Sequence, residues 1–266
     1  MPRSLVALAL APLLGLVLPG HARAQSLEAV DPIPHADPIA VADALYSAGK
    51  ARESYELLLP LVEADLDDVA KLWRIARAGA VVGVDFDDHV EQNRWFDPSL
   101  FFARRAVELR PDDPEARYWR GVVAGRRALN AAARNATELA ELVYEDAHFL
   151  LGADSLDAAG HNMLGKLAFE VMSLSRVERT LGRVFLSSSV LGDMRWERAE
   201  HHLTRAVELE PDVVLYQYDL GALHRKRGRD DQAIACLTRA LWLASVEPVD
   251  TKVKALATGL LEEIAR

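Results

Sequence analysis

An octet that occurs twice constrains this chain more than any other feature. Arg105-Ala106-Val107-Glu108-Leu109-Arg110-Pro111-Asp112 recurs as Arg205-Ala206-Val207-Glu208-Leu209-Glu210-Pro211-Asp212, with a single change at the sixth place. Each copy reads as the end of a helix. Proline stops it, because its ring lacks the amide hydrogen and crowds the preceding turn. Each is followed by a second helical stretch with a glycine ten residues after the proline, Gly121 and Gly221, and Gly165 sits equivalently after the turn around Ser155. A short helix pair of this kind cannot bury its apolar face alone, so successive copies stack into a solenoid. From Ile39 to Arg266 the apolar residues recur at helical spacing, without the alternation of strands. Turn signals divide the pattern at Gly49, Asp97-Pro98, Pro111 to Pro114, Gly152 to Asp154, Pro211-Asp212 and Gly228.

Composition narrows the class further. Of 266 residues, 50% are hydrophobic and 27% charged, which is a globular rather than a disordered balance. The formal net charge of −9, with no basic tail, argues against non-specific nucleic-acid binding. Cys236 is the only cysteine, so the chain forms no internal disulfide and no multi-cysteine metal site. It reads as a small buried hydrophobe in an apolar helix.

Residues 1–24 read as a signal peptide. Arg3 supplies a positive start, Leu5 to Leu18 an apolar run too short to span a bilayer as a helix, and Ala22-Arg23-Ala24 a small-x-small cleavage pattern. Cleavage removes Arg3 and Arg23 but no acidic residue, taking the net charge from −9 to −11. The mature chain is then exported, periplasmic or secreted, and does not span the membrane. Residues 25–38, with Pro32, Pro34 and Pro38, read as an extended leader, and residues 39–266 as the repeat domain.

The repeat resembles the tetratricopeptide repeat, whose period is about 34 residues. The last copy carries the resemblance best. Tyr218-Asp219-Leu220-Gly221 opens its first helix, and Gly228 makes the inter-helix turn. Ala233, Leu237 and Ala240 then supply the small, large and small residues of close helix packing. The resemblance implies an all-α, right-handed helical solenoid. The spacing is irregular: Gly121 to Gly165 spans 44 residues and Gly165 to Gly221 spans 56. The surplus falls at Leu129 to Val143 and at Val171 to Asp193. The order of segments is also recognisable: Ala44 to Leu58, Leu72 to Ala78, Arg105 to Trp119, His161 to Arg179 and Trp196 to Asp212. It is similar to the regulator-of-microtubule-dynamics family, built of divergent tetratricopeptide repeats. Leu174-Ser175 and Glu178-Arg179 match that family, whereas Arg176 replaces an expected aromatic. The resemblance implies a link to microtubules and, for some members, phospholipid binding. An exported chain would not meet cytoplasmic microtubules, but a groove for peptide or lipid would carry over.

No catalytic motif is present: no G-x-S-x-G, H-E-x-x-H, P-loop or G-x-G-x-x-G. Neither a cofactor nor a metal is expected. The acidic run Asp85-Phe86-Asp87-Asp88-His89 lacks the glycine and closing glutamate of a calcium loop and reads as a helix N-terminus. His201 and His202 point about 100° apart on a helix, which suits one packed and one exposed ring better than a metal site. What remains is surface recognition. In the tetratricopeptide fold the first helix of each repeat lines the inner groove. On that register Trp73, Arg77, Tyr118, Arg126, Asn162, Lys166, Phe169, Tyr218 and Arg225 face it. Basic and aromatic residues predominate, a set that suits an anionic ligand through charge-assisted hydrogen bonds and cation–π contact. The expectation is a non-enzymatic scaffold holding a peptide or protein partner. The alternative is a carrier of anionic lipid, with the apolar stretch Val184 to Leu191 lining or covering its cavity.

Overall fold

The computed structural model describes residues 37–175, 190 and 193–266, and among these every regular element is a helix. There are eleven: α1 (Pro38–Ser47), α2 (Ala51–Ala64), α3 (Val69–Val84), α4 (His89–Leu109), α5 (Pro114–Leu129), α6 (Ala133–Ala153), α7 (Ala158–Ser173), α8 (Trp196–Leu209), α9 (Val214–Lys226), α10 (Asp230–Trp242) and α11 (Asp250–Ile264). The signal sequence, most of the leader, Arg176 to Arg179 and the bulk of Val184 to Leu191 lie outside the described residues. Pro38, the last residue of the expected leader, instead begins α1. Its fixed φ suits a first helical turn, where its missing N–H costs nothing.

The starts of the helices follow from aspartate. Asp37, Asp68, Asp88, Asp113 and Asp157 each accept a backbone N–H from the first turn of α1, α3, α4, α5 and α7. The acidic run at residue 85 is therefore a helix start, with Asp88 bonded to the amides of Val90 and Glu91. Gly49 and Gly228 turn α1 into α2 and α9 into α10 with φ of 76° and 69°, a region that suits glycine. Asp97-Pro98 is not a turn: α4 runs straight through it. A proline inside a helix costs about 3 kcal/mol. Burial of Phe96, Leu100 and Phe102 on the same helix outweighs that cost, at roughly 1.5–3 kcal/mol each.

Helices pack as antiparallel pairs, α1 with α2, α3 with α4, α5 with α6, α7 with α8 and α9 with α10, and α11 closes the row against α9 and α10. The first helices of successive pairs touch in turn, from α1 through α3, α5, α7 and α9 to α11. This inner row makes the molecule a right-handed helical solenoid. The repeat glycines sit where the two helices of a pair approach most closely. A Cβ on Gly165 would stand 2.8 Å from the Leu203 backbone nitrogen, and one on Gly221 would stand 2.8 Å from Leu237 Cγ. Ala233, Leu237 and Ala240 are wholly buried, as the packing rule requires. The surplus at Leu129 to Val143 lengthens helix rather than loop, since it forms the short turn after α5 and the first half of the 21-residue α6. Of the second surplus, Val190 is buried in the central core.

The curvature brings the two ends of the row together. The Tyr46 hydroxyl on α1 donates to Glu247 Oε2 at 3.4 Å, and Lys252 Nζ on α11 lies 2.8 Å from Asp87 Oδ1. Val249 packs into the cluster of Tyr46, Val81 and Val82. The inner face is thus a curled lumen whose two ends touch.

Candidate functional site

All nine residues expected in the groove lie on inner helices: Trp73 and Arg77 on α3, Tyr118 and Arg126 on α5, Asn162, Lys166 and Phe169 on α7, Tyr218 and Arg225 on α9. Their surroundings change what they offer a ligand. Arg77 Nη2 is 2.5 Å from Asp43 Oδ1, and its guanidinium lies over the Tyr46 ring at 3.9 Å and the Trp73 ring at 5.2 Å. Lys166 sits between Asp219 at 2.9 Å and Glu170 at 3.1 Å. Burial opposes its charge, but Asp219 and then Glu170 outweigh that and hold the ammonium above the usual lysine range. Asn162 donates to the same Asp219, at 3.1 Å. Arg225 pairs with Asp230 at 3.0 Å. Phe169 is buried edge-on to Trp196, so it belongs to the core more than to the groove.

Arg126 differs from the other three cations. It donates to the Ala80 carbonyl at 2.5 Å, and no carboxylate among the described residues lies within 4 Å of it. Burial pulls its guanidinium below the usual range, which the phenols of Tyr118 and Tyr46 only partly offset. The groove is consequently not the basic surface that residue types alone suggest. Three of its four cations are already neutralised by neighbours from the next helix or the same one.

Where the ends of the row meet, the chain forms a half-open cavity of about 280 Å³. Tyr46, Tyr118 and Trp119 form its aromatic wall, and Leu150 and Ala159 line it beside them. Glu115, Asp157 and Glu247 bring carboxylates to it, and Arg77 is the one cation on its lining. A second cavity of about 360 Å³ shares Glu247 and is bordered by Glu210, Asp212, Val213, Val214, Val246 and Asp250. Burial pushes the Tyr118 phenol up to about 12; Arg126 lowers it, while Glu247, Glu115 and Asp157 raise it. Burial followed by Glu247 likewise raises the Tyr46 phenol well above its ordinary value. Of the aromatic and acidic lining residues, only Tyr118 is legible from repeat register. Glu115 and Trp119 share its helix and Asp157 caps the next inner one, whereas Tyr46 and Glu247 reach the cavity through superhelical closure, for which the sequence carries no local signal.

The histidines also form a contact that spacing does not reveal. His202 is buried and His201 exposed, as two adjacent helical residues should be. His161 Nε2 lies 3.2 Å from the Ser155 carbonyl, which can only accept, so this nitrogen carries a hydrogen. The Nδ1 of a neutral His161 is then an acceptor, and His202 Nδ1 donates to it across 2.8 Å. No group of three or more His, Cys, Asp or Glu side chains among the described residues is placed to hold a metal ion. No helix among them is long and apolar enough to cross a membrane. Cys236 is half-buried, and burial raises its thiol pKa.

Solved structures share this architecture. A thermophilic tetratricopeptide-repeat protein of Thermus thermophilus superposes with a TM-score of 0.57 at 19% identity, over 85% of this chain and 97% of that one. MamA of Desulfovibrio magneticus RS-1 gives 0.45 at 18% identity, over 77% and 92%. YrrB, described as a tetratricopeptide-repeat protein with an unusual peptide-binding site, gives 0.43 at 13% identity, over 84% and 90%. No curated protein sequence matches the chain. The family model for regulator of microtubule dynamics protein 1-3 matches residues 39–265, almost the whole helical row. The chain therefore belongs to the regulator of microtubule dynamics protein 1-3 family, as a tetratricopeptide-type solenoid.

Proposed function

We propose that the chain is an exported, non-enzymatic scaffold that holds an extended peptide or a segment of a partner protein in its inner groove. The observation that carries this reading is the cavity at the closure, where side chains of α1, α3, α5, α6 and α7 and the loop before α11 converge. A peptide lying along the inner helices would reach that cavity, and its side chains would enter it beside Tyr46, Tyr118 and Trp119. Aromatic walls of this kind supply contact area at low entropic cost. The anionic-lipid reading has less to draw on. Arg77, Lys166 and Arg225 are spent on carboxylates, which leaves Arg126 as the cation such a head group would need. Export rests on the pattern of residues 1–24, and its test is the N-terminus of the protein recovered from the exported fraction, expected at Gln25.

The test of the groove is a selection from a displayed library of random twelve-residue peptides on the full chain. A converged pool that loses binding on Ala159→Trp, which fills the cavity from a half-buried position on α7, supports the reading. A pool that binds the variant equally well refutes it.

A further inference from the structure

The charge at the closure selects a ligand class opposite to the one the groove's residue types suggest. Glu115, Asp157 and Glu247 border the first cavity, and Glu210 with Glu247 borders the second. Among the described residues, none of these four carboxylates has a lysine or arginine nitrogen within 4 Å. Glu247 accepts only the long bond from the Tyr46 hydroxyl, and Asp157 gives one oxygen to the Gly160 amide. The single cation on the first wall, Arg77, is tied to Asp43 and stacked on Tyr46. Arg126 has no carboxylate within 4 Å among the described residues; it donates to the Ala80 carbonyl, and its charge acts on the phenols of Tyr118 and Tyr46. Glu115, Glu210 and Glu247 are exposed and Asp157 is half-buried, so each is open to a group arriving from solvent. The wholly buried carboxylates that the chain does pair with its own cations, Asp146 and Asp219, line neither cavity.

Unpaired carboxylates beside Tyr46, Tyr118 and Trp119 make two complementary attractions for one kind of group. An ammonium or guanidinium is drawn to the face of an aromatic ring as well as to a carboxylate. A cavity of about 280 Å³ admits one such side chain with a few waters, each of which occupies about 30 Å³ in the liquid. The second cavity adjoins it across Glu247, so neighbouring basic residues of one strand would find one cavity each.

We infer that the two adjoining cavities are subsites for lysine or arginine side chains, and that the partner segment is basic. The inference rests on the groove reading above and names the chemistry of the same site. Long aliphatic stems would lie against Tyr118, Val213 and Val246 while the charged heads meet the carboxylates.

The experiment is the same peptide selection, read for charge. The selected pool is expected to be enriched in Lys and Arg over the starting library. The affinity of a selected peptide should fall about tenfold, or about 1.4 kcal/mol, on Glu115→Gln with Glu247→Gln, two exposed rim positions whose substitution leaves the helices intact. Glu115→Lys, which places a cation of the chain's own at the cavity mouth, should remove binding altogether while lowering Tm by only about 2–4 °C, the effect of a cation in the first turn of α5. Peptides that converge without Lys or Arg would overturn the inference and leave the groove reading standing. The same holds if their affinity is unmoved by the double glutamine substitution while still being lost on Ala159→Trp. Peptides indifferent to Ala159→Trp and to Glu115→Lys alike would remove the groove reading, and the inference with it.

Discussion

Three glycine-to-alanine substitutions should have different effects, although the chemical change is the same in each. In a helix interior, alanine is favoured over glycine by about 1 kcal/mol, because glycine loses more backbone freedom on folding. At Gly259, inside α11, an added Cβ meets nothing within 4 Å, so the full gain should appear. At Gly165 on α7, the same atom would stand 2.7 Å from Leu203 Cγ and 2.8 Å from the Leu203 backbone nitrogen. A backbone atom cannot swing away, so α7 and α8 must separate. Overpacking of this kind costs roughly 1–3 kcal/mol, and the net change is about 1 kcal/mol of destabilisation. At Gly121 the obstructing atom is the terminal methyl of Met163, with Asp146 Cβ next at 3.3 Å. A methionine tip can move, so gain and cost should nearly cancel. For a chain of this size 1 kcal/mol corresponds to about 2–4 °C in Tm. The expected order in thermal melts is Gly259→Ala highest, then wild type and Gly121→Ala together, then Gly165→Ala, with about 6 °C between the extremes. Urea titration should show the same order in midpoint with an unchanged m-value. If Gly165→Ala stabilises the protein as much as Gly259→Ala does, the repeat glycines are not there for close approach, and the packing argument drawn from the repeat fails.

Three further outcomes follow from buried polar groups. Arg120 grips the wholly buried Asp146 with two bonds of 2.8 and 2.6 Å, and Arg120→Met leaves only Arg117 at 3.2 Å; urea titration should show a loss of about 3–5 kcal/mol, largely restored by adding Asp146→Leu. His202 is lowered from 6.5 to about 4, first by burial and then by His161, so above about pH 6.5 its contribution is complete. As the pH falls towards 4 the unfolded chain takes up a proton that the folded chain refuses, and up to about 3 kcal/mol is lost, a slope that His202→Asn should flatten in urea titrations across that range. Cys236 is half-buried with its thiol raised, so a thiol reagent at pH 7 should modify the native protein at least about tenfold more slowly than the urea-unfolded chain.

What is legible in the sequence is what depends on neighbours within one helix pair. The octet ends, the aspartate caps and the sequence Ala233, Leu237, Ala240 are short-range features, and each stands where the repeat places it. Reading Asp97-Pro98 as a turn errs because local propensity leaves out the burial of Phe96 and Phe102. The groove's basic character misleads for a longer-range reason. Asp43 is 34 residues before Arg77 and Asp219 is 53 after Lys166, so each carboxylate arrives on the next inner helix. Residue type shows a cation in the sequence, but only the stacking of repeats shows whether it is already paired.

The closure is the extreme case of the same effect. Each repeat rotates the next by a small angle, and the sum over five pairs sets whether α1 and the loop before α11 meet. The first surplus goes into helix length. The residues at Leu129 to Val143 extend α6, and α4 is as long, so helices in the middle of the outer row exceed the 13 residues of α10. Glu247 reaches Tyr46 although 201 residues separate them. The cavity, its aromatic wall and its unpaired carboxylates are therefore completed by the contact between the two ends of the row, which is why a repeat pattern locates the groove helices but not the place on them where a ligand would be held.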